Sequence, residues 1–275
     1  MMKAACVGIV KNEAPYIAEW IAYQLSLGFD TVILYDNGST DSTVEEIQRF
    51  LNHYDVRLVD WPDAEPQSQR RAYEDAVRHF QTEFDWLAFF DTDEFLVLDS
   101  DLRSTLTARR GAASVVVHWA MFGSSGHQTR RSGLVIENYT RRSESSFDPN
   151  RHFKSIINPR LILKCVNAHH FQPKSRFRLW RWDIADPIVD LAGRRIDMDW
   201  AVPGTTINCP DYTAGKLHHY FTRSYADWQA KVERGYEKGT ASRQLEEFHG
   251  FDRNETFDDS AARRADDLRK ILSRL

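Results

Sequence analysis

Cysteine is scarce in this sequence, and the three present (Cys6, Cys165 and Cys209) are scattered. They form neither a zinc-ligand spacing nor a disulfide framework, so reduced thiols in a cytosolic setting are the expectation. Long apolar runs are also missing. No stretch approaches about 18 apolar residues, and the N-terminus has no signal-type segment, which argues against a secreted or membrane-spanning product. There is no extended basic run: 36 Lys and Arg stand against 40 Asp and Glu, a formal charge of −4. That balance argues against nucleic acid as a partner. Repeats, low-complexity tracts and Pro/Gly/Ser-rich linkers are lacking as well, so residues 1–275 are read as one domain.

Aromatic residues, by contrast, are plentiful. Eight Trp and sixteen Phe exceed what a core alone demands, and the surplus suits stacking on bases or sugars. The most informative segment is Trp86–Leu98, WLAFFDTDEFLVL, an apolar run broken by Asp91, Thr92, Asp93 and Glu94. Unpaired carboxylates taken from water cost several kcal/mol each, and a divalent cation is the simplest way to keep them ionised. Residues i and i+2 of an extended segment face the same way, roughly 6.6 Å apart. Asp91 and Asp93 can therefore flank one oxygen-loving ion, Mn²⁺ or Mg²⁺, with a phosphate completing its shell. The bland alternative is a capped turn with solvated carboxylates.

Ahead of that segment the pattern alternates. Ala4–Val10, Thr31–Tyr35, Val56–Val59 and Trp86–Phe90 read as strands, and Ala14–Leu27, Asp41–Phe50 and Gln67–Phe80 as helices. Such βαβ units imply a parallel sheet with helices on both faces, and ligands bind beyond the carboxyl ends of its strands. Lys11–Glu13, Asp36–Ser39 and Asp91–Glu94 all fall at those ends. Residues 1–100 thus read as a nucleotide-binding half. Residues 101–240 read as an acceptor half, with strands at Ser114–Trp119, Leu134–Tyr139 and Leu161–Val166 and a polar, basic surface loop or lid at Thr140–Pro159. Residues 241–275 read as a C-terminal helical segment, in which Ala261–Leu275 is either a charged helix packed on the domain or a membrane-surface element.

These residues resemble, in order, a GT-A fold glycosyltransferase of the family 2 type, closest to the proteins related to glycosyltransferase family 92. The matching pieces are Val10-Lys11-Asn12-Glu13, Glu19-Trp20, Tyr35 through Asp41, and Phe90 through Phe95. Trp119 with Phe122 through His127, Phe153-Lys154-Ser155-Ile156, and His218-His219-Tyr220 follow in the same order. The resemblance implies an α/β GT-A fold: a Rossmann-like nucleotide-binding sheet with a mixed acceptor-side extension. It also implies sugar transfer from a nucleotide donor, often a UDP-sugar, with Mn²⁺ or Mg²⁺. The Glu-Asp pair carried by many family 2 enzymes is not evident here.

Within this frame Asp93 is expected to bind metal directly, and Asp91 the metal's water or the donor ribose. By resemblance His219 is the third metal ligand, although spacing does not separate it from His218. Val10, Lys11, Asn12, Glu13, Asp36, Asn37, Ser39 and Thr92 are expected to line the nucleotide pocket, with Asp36 on the uracil or ribose. Lys154, brought in by the closing lid, is expected to face the phosphates, and Arg70 and Arg71 are either diphosphate contacts or solvated. An inverting displacement needs a base for the acceptor proton. The candidates are Glu137, which interrupts an apolar strand, His127 and Asp199. The expected activity is an inverting transfer to a glycan or lipid-linked acceptor in surface or exopolysaccharide synthesis, in the cytoplasm or at the inner face of the membrane. The rivals are a sugar-phosphate nucleotidyltransferase and a non-catalytic carbohydrate-binding module. Against the former, Lys11-Asn12-Glu13-Ala14-Pro15 replaces the Gly-rich basic loop such an enzyme wants after its first strand.

Overall fold

A computed structural model describes residues 2–174, 187–235 and 243–275. The first half alternates as the sequence predicts: β1 (Ala4–Val10), α1 (Ile17–Leu27), β2 (Thr31–Asp36), α2 (Thr43–Gln48), β3 (Val56–Asp60), α3 (Ser68–Phe80) and β4 (Trp86–Phe89). Then come β5 (Glu94–Leu98), α4 (Leu102–Ala108), β6 (Ser114–Met121), α5 (Val135–Asn138), β7 (Arg141–Arg142) and β8 (Phe153–Ile157). The remaining elements are β9 (Ile162–Cys165), β10 (Phe171–Pro173), β11 (Ile188–Asp190), β12 (Gly215–His219), α6 (Tyr225–Arg234), α7 (Phe248–Phe251), β13 (Thr256–Phe257) and α8 (Ala265–Leu272).

The main sheet runs β3-β2-β1-β4-β8-β6-β12-β5, with β11 joined to β6. Strands β3, β2, β1 and β4 are parallel, and β8 is antiparallel to both β4 and β6. Strand β6 belongs to two halves of the sheet: Ser114–His118 pair with β8, whereas Trp119–Met121 pair with β12. Alternate residues of β1 feed opposite cores. Ala4, Cys6 and Val10 pack with α1 and α2, while Ala5 and Val7 pack with Ala72, Tyr73 and Ala76 of α3. Helix α1 ends where Gly28 takes φ 108°, a left-handed conformation that costs glycine little.

Three expectations are corrected. Leu134–Tyr139 is not a strand: Val135–Asn138 forms one helical turn, because the Glu19 carboxylate of α1 accepts both Val135 N–H (2.7 Å) and Ile136 N–H (3.1 Å). A short apolar run does not distinguish strand from buried helix by period. Thr140–Pro159 is not a lid, since Phe153–Ile157 is a wholly buried sheet strand between β4 and β6. Its surrounding polarity hid the Phe153, Ile156, Ile157 core contribution. The C-terminal segment is not uniformly helical, because Thr256–Phe257 pairs antiparallel with Arg141–Arg142. Residues 241–242 of that segment lie outside the described residues.

Helix α8 lays Leu268 and Ala265 into the core shared with α1, so its apolar face is covered by the domain itself. Among the described residues no helix is long and apolar enough to cross a membrane.

Candidate active site

The turn after β4 gathers three carboxylates and gives each a different environment. Glu94, fully buried, accepts the Asp91 N–H at 2.8 Å and the Trp119 indole N–H at 2.6 Å. Asp91 accepts from Gln69 Nε2 (2.6 Å) and Tyr73 O–H (3.3 Å) and lies 2.9 Å from Lys154 Nζ. Asp93 Oδ2 takes Lys231 Nζ at 2.7 Å, and its Oδ1 lies 3.4 Å from His219 Nε2.

Charge follows geometry. Burial pushes Glu94 well above the usual carboxylate range; Lys154 opposes it, and the neighbouring Asp91 and Asp93 charges add to the push. Burial also opposes ionisation of Asp91 and Asp93. There the ammonium groups prevail: Lys154 holds Asp91 low, and Lys231 holds Asp93 well below its ordinary value. Two carboxylates held low therefore sit beside one pushed up, environments that differ within a single turn.

The strand ends beside this turn are laced together. Val10 pairs in register with Asp36, and the Asn12 N–H donates to Ser39 Oγ at 3.0 Å. Asn12, at φ 53°, accepts the Thr40 N–H, and buried Asp36 accepts the Ser39 N–H. Asn37 donates to the Trp61 and Asp63 carbonyls and to Ser68 Oγ, so it shapes the loop instead of facing open space. Glu13 is clamped by Arg223 (3.1 Å) and Arg234, and Arg234 also reaches the Lys11 carbonyl. Arg223 Nη2 extends to the Thr92 carbonyl. A cavity of about 400 Å³ opens here, lined by Asn12, Glu13, Tyr16, Asp41, Arg223 and Lys231.

Other expected residues go elsewhere. Glu137 is a surface residue whose two oxygens both take Arg269 at 2.7 Å. His127 Nε2 lies 3.1 Å from the Asn138 carbonyl, and Asp199 lies 3.5 Å from Arg151. Each of the three is engaged by a partner outside the acidic turn. Arg71 is bound to Asp63, and Arg70 to Gln67 and Glu74. Phe122 is fully buried, its ring tilted against His218 at 4.3 Å, and so belongs to the core. That packing also separates the adjacent histidines. His218 faces Asp258 and Ser260, whereas His219 faces Asp93. Lys154 is supplied by the buried strand β8, with no closing loop.

Sequence reasoning missed Lys231, Arg223, His152 and His169. The first two sit in or before a charged helix, where solvated cations are the default. The histidines ring Trp119, whose centroid is 4.9 Å from His152, 5.3 Å from His169 and 4.4 Å from His219. A signal was present, for His152 directly precedes the Phe153-Lys154-Ser155 already singled out.

Does the site suit a divalent ion? Among the described residues no group of three or more His, Cys, Asp and Glu could hold a metal by itself. Asp93 and His219 nevertheless offer a carboxylate oxygen and an imidazole held neutral chiefly by burial. That donor pair fits Mn²⁺ or Mg²⁺ when phosphate and water complete the shell, the usual arrangement for nucleotide-bound ions.

A parallel half-sheet, an acidic turn closing its fourth strand and a mixed extension are the parts expected of a GT-A glycosyltransferase. The chain belongs to glycosyltransferase family 92, whose family model matches residues 3–189. Among curated relatives, a family 92 protein of Arabidopsis thaliana is 31% identical over 179 residues, covering 59% of this chain and 30% of the relative. One of Ricinus communis is 30% identical over 183 residues, covering 61% of this chain and 31% of the relative. The chain thus spans about a third of the length of these relatives. Among solved structures, Staphylococcus aureus TarS residues 1–349 with UDP aligns at 17% identity and TM-score 0.38, covering 58% of this chain and 48% of that one. Mycobacterium tuberculosis glucosyl-3-phosphoglycerate synthase with Mn²⁺, UDP and glucosyl-3-phosphoglycerate aligns at 20% identity and TM-score 0.33, covering 43% of this chain and 44% of that one.

Proposed function

We propose that this glycosyltransferase moves a sugar from a UDP-sugar to an acceptor hydroxyl with inversion, in assembly of a surface glycan or exopolysaccharide. The observation that carries the reading is Asp93, ionised between His219 and Lys231 at the mouth of the nucleotide half. Asp93 and His219 would hold Mn²⁺ or Mg²⁺, with Asp91 on its water or the donor ribose. When bound, the ion supplies positive charge to the departing diphosphate.

The chain's own residues do the rest. Asp36 accepts from the uracil or ribose at the end of β2, beside Val10, Lys11, Asn12, Glu13, Asn37, Ser39 and Thr92. Lys154 and Lys231, both buried and paired with Asp91 and Asp93, meet the phosphates without losing further hydration. Trp119, held by Glu94, presents its ring to the transferred sugar.

A thermal-shift screen of nucleotide sugars with and without Mn²⁺ tests this, because a ligand bound only by the folded state raises its melting temperature. UDP-sugars should stabilise the wild type in the presence of Mn²⁺, and Asp93→Ala should lose both that shift and transfer. No shift with any nucleotide sugar, or full activity of Asp93→Ala with chelator present, would overturn the reading.

A further inference from the structure

With Glu137, His127 and Asp199 engaged away from the acidic turn, the acceptor proton needs another destination. The hairpin β9–β10 supplies one. Its tip, Asn167–His170, is bolted to the sheet from several sides. Asn167 Oδ1 accepts the backbone N–H groups of His169 and His170, both at 2.8 Å, and Asn167 Nδ2 donates to the Pro203 carbonyl. Ser155 Oγ donates to the His169 carbonyl at 2.6 Å. Lys154 Nζ, 2.9 Å from Asp91, also reaches the Ala168 carbonyl at 3.4 Å. Phe171, its ring tilted against Phe89 of β4 at 4.6 Å, anchors the hairpin's return strand.

This scaffolding fixes one imidazole. His169 Nδ1 lies 3.0 Å from the Phe153 carbonyl, which can only accept, so Nδ1 carries the proton and Nε2 keeps its lone pair. No group among the described residues bonds that Nε2, and His169 is a partly buried residue beside Trp119. Gly204, at φ +100°, has no side chain because a Cβ there would come within 2.6 Å of the His169 Cβ.

Resting on the glycosyl-transfer reading, we infer that Nε2 of His169 is the base that accepts the acceptor's proton. The acceptor oxygen forms its bond to the anomeric carbon as the bond from that carbon to the diphosphate oxygen breaks. The bonding pair leaves with the diphosphate. The hydroxyl proton passes to Nε2, and the resulting imidazolium returns it to solvent. Burial, followed by the Lys154 charge, holds this imidazole down to about 3, with Asp91 opposing and His152 adding to the depression. It is therefore neutral before substrate arrives, and a diphosphate paired with Lys154 removes part of the repulsion that keeps it so.

The test compares His169→Gln and His152→Gln with wild type, using Mn²⁺ and whichever UDP-sugar gives the largest thermal shift. The readouts are kcat for UDP release and the donor-induced shift. His169→Gln should keep the shift and lose kcat by about 10²- to 10⁴-fold, the usual worth of a positioned base. His169→Ala should regain part of that rate with added imidazole. Retention of kcat within about threefold of wild type in His169→Gln would overturn the inference, as would a kcat loss accompanied by loss of the donor shift. So would loss of kcat in His152→Gln alone. A wild type that no nucleotide sugar stabilises would sink the parent reading instead, and the two failures are told apart by that control.

Discussion

Lys231 Nζ lies 2.7 Å from Oδ2 of Asp93 and 2.6 Å from the Phe221 carbonyl, with only 5% of the lysine side chain exposed. The proposed metal carboxylate thus already has a built-in cation, delivered by α6 from 138 residues downstream. A divalent ion must share Asp93 with it. Lys231→Met should lower the melting temperature in chelator, since breaking a buried pair costs about 3–5 kcal/mol. Mn²⁺ should then restore more stability to the variant than it adds to wild type. Equal Mn²⁺ shifts in both proteins would show that lysine and metal do not compete.

Lys154 serves two acids at once, at 2.9 Å from Asp91 and 3.9 Å from Glu94, and is itself fully buried. Lys154→Met should destabilise by about 3 kcal/mol in urea titration and abolish the UDP-sugar thermal shift. A variant of near-normal stability that still binds donor would remove Lys154 from the phosphate site.

Glu19 gives a pH signature remote from the chemistry. Burial raises its carboxyl to about 7 despite the N–H groups of Val135 and Ile136. The folded state therefore holds this proton more tightly than the unfolded chain does. Its contribution to stability is fully present below about 4.5 and is lost as pH rises through about 7. Glu19→Gln should flatten the dependence of stability on pH over that window, measured by denaturant midpoints. An unchanged slope would mean that Glu19 titrates normally.

Glu137, on the surface and paired with Arg269, should be dispensable. Glu137→Ala is expected to leave transfer unchanged and to shift stability by less than about 1 kcal/mol, as exposed ion pairs do. A hundredfold activity loss would return it to the list of bases.

The sequence alone determined the parallel half of the fold and the acidic turn that closes β4. Both are local: apolar runs of strand length between segments of helical period, and carboxylates breaking such a run, are readable because period and burial are correlated along the chain. The GT-A architecture was what the resemblance of the ordered motifs to a known family implied. Tertiary structure decided what depends on meeting partners far apart. Leu134–Tyr139 turned helical because Glu19, more than a hundred residues earlier, caps it. Phe153–Ile157 became a central strand because β4 and β6 leave a slot between them. His219 parted from His218 because β12 shows its two faces to different neighbours. Lys231 and His169 joined the site only through long-range packing: each looks like an ordinary surface residue in its own segment, and no local pattern encodes which buried acid or carbonyl it will meet.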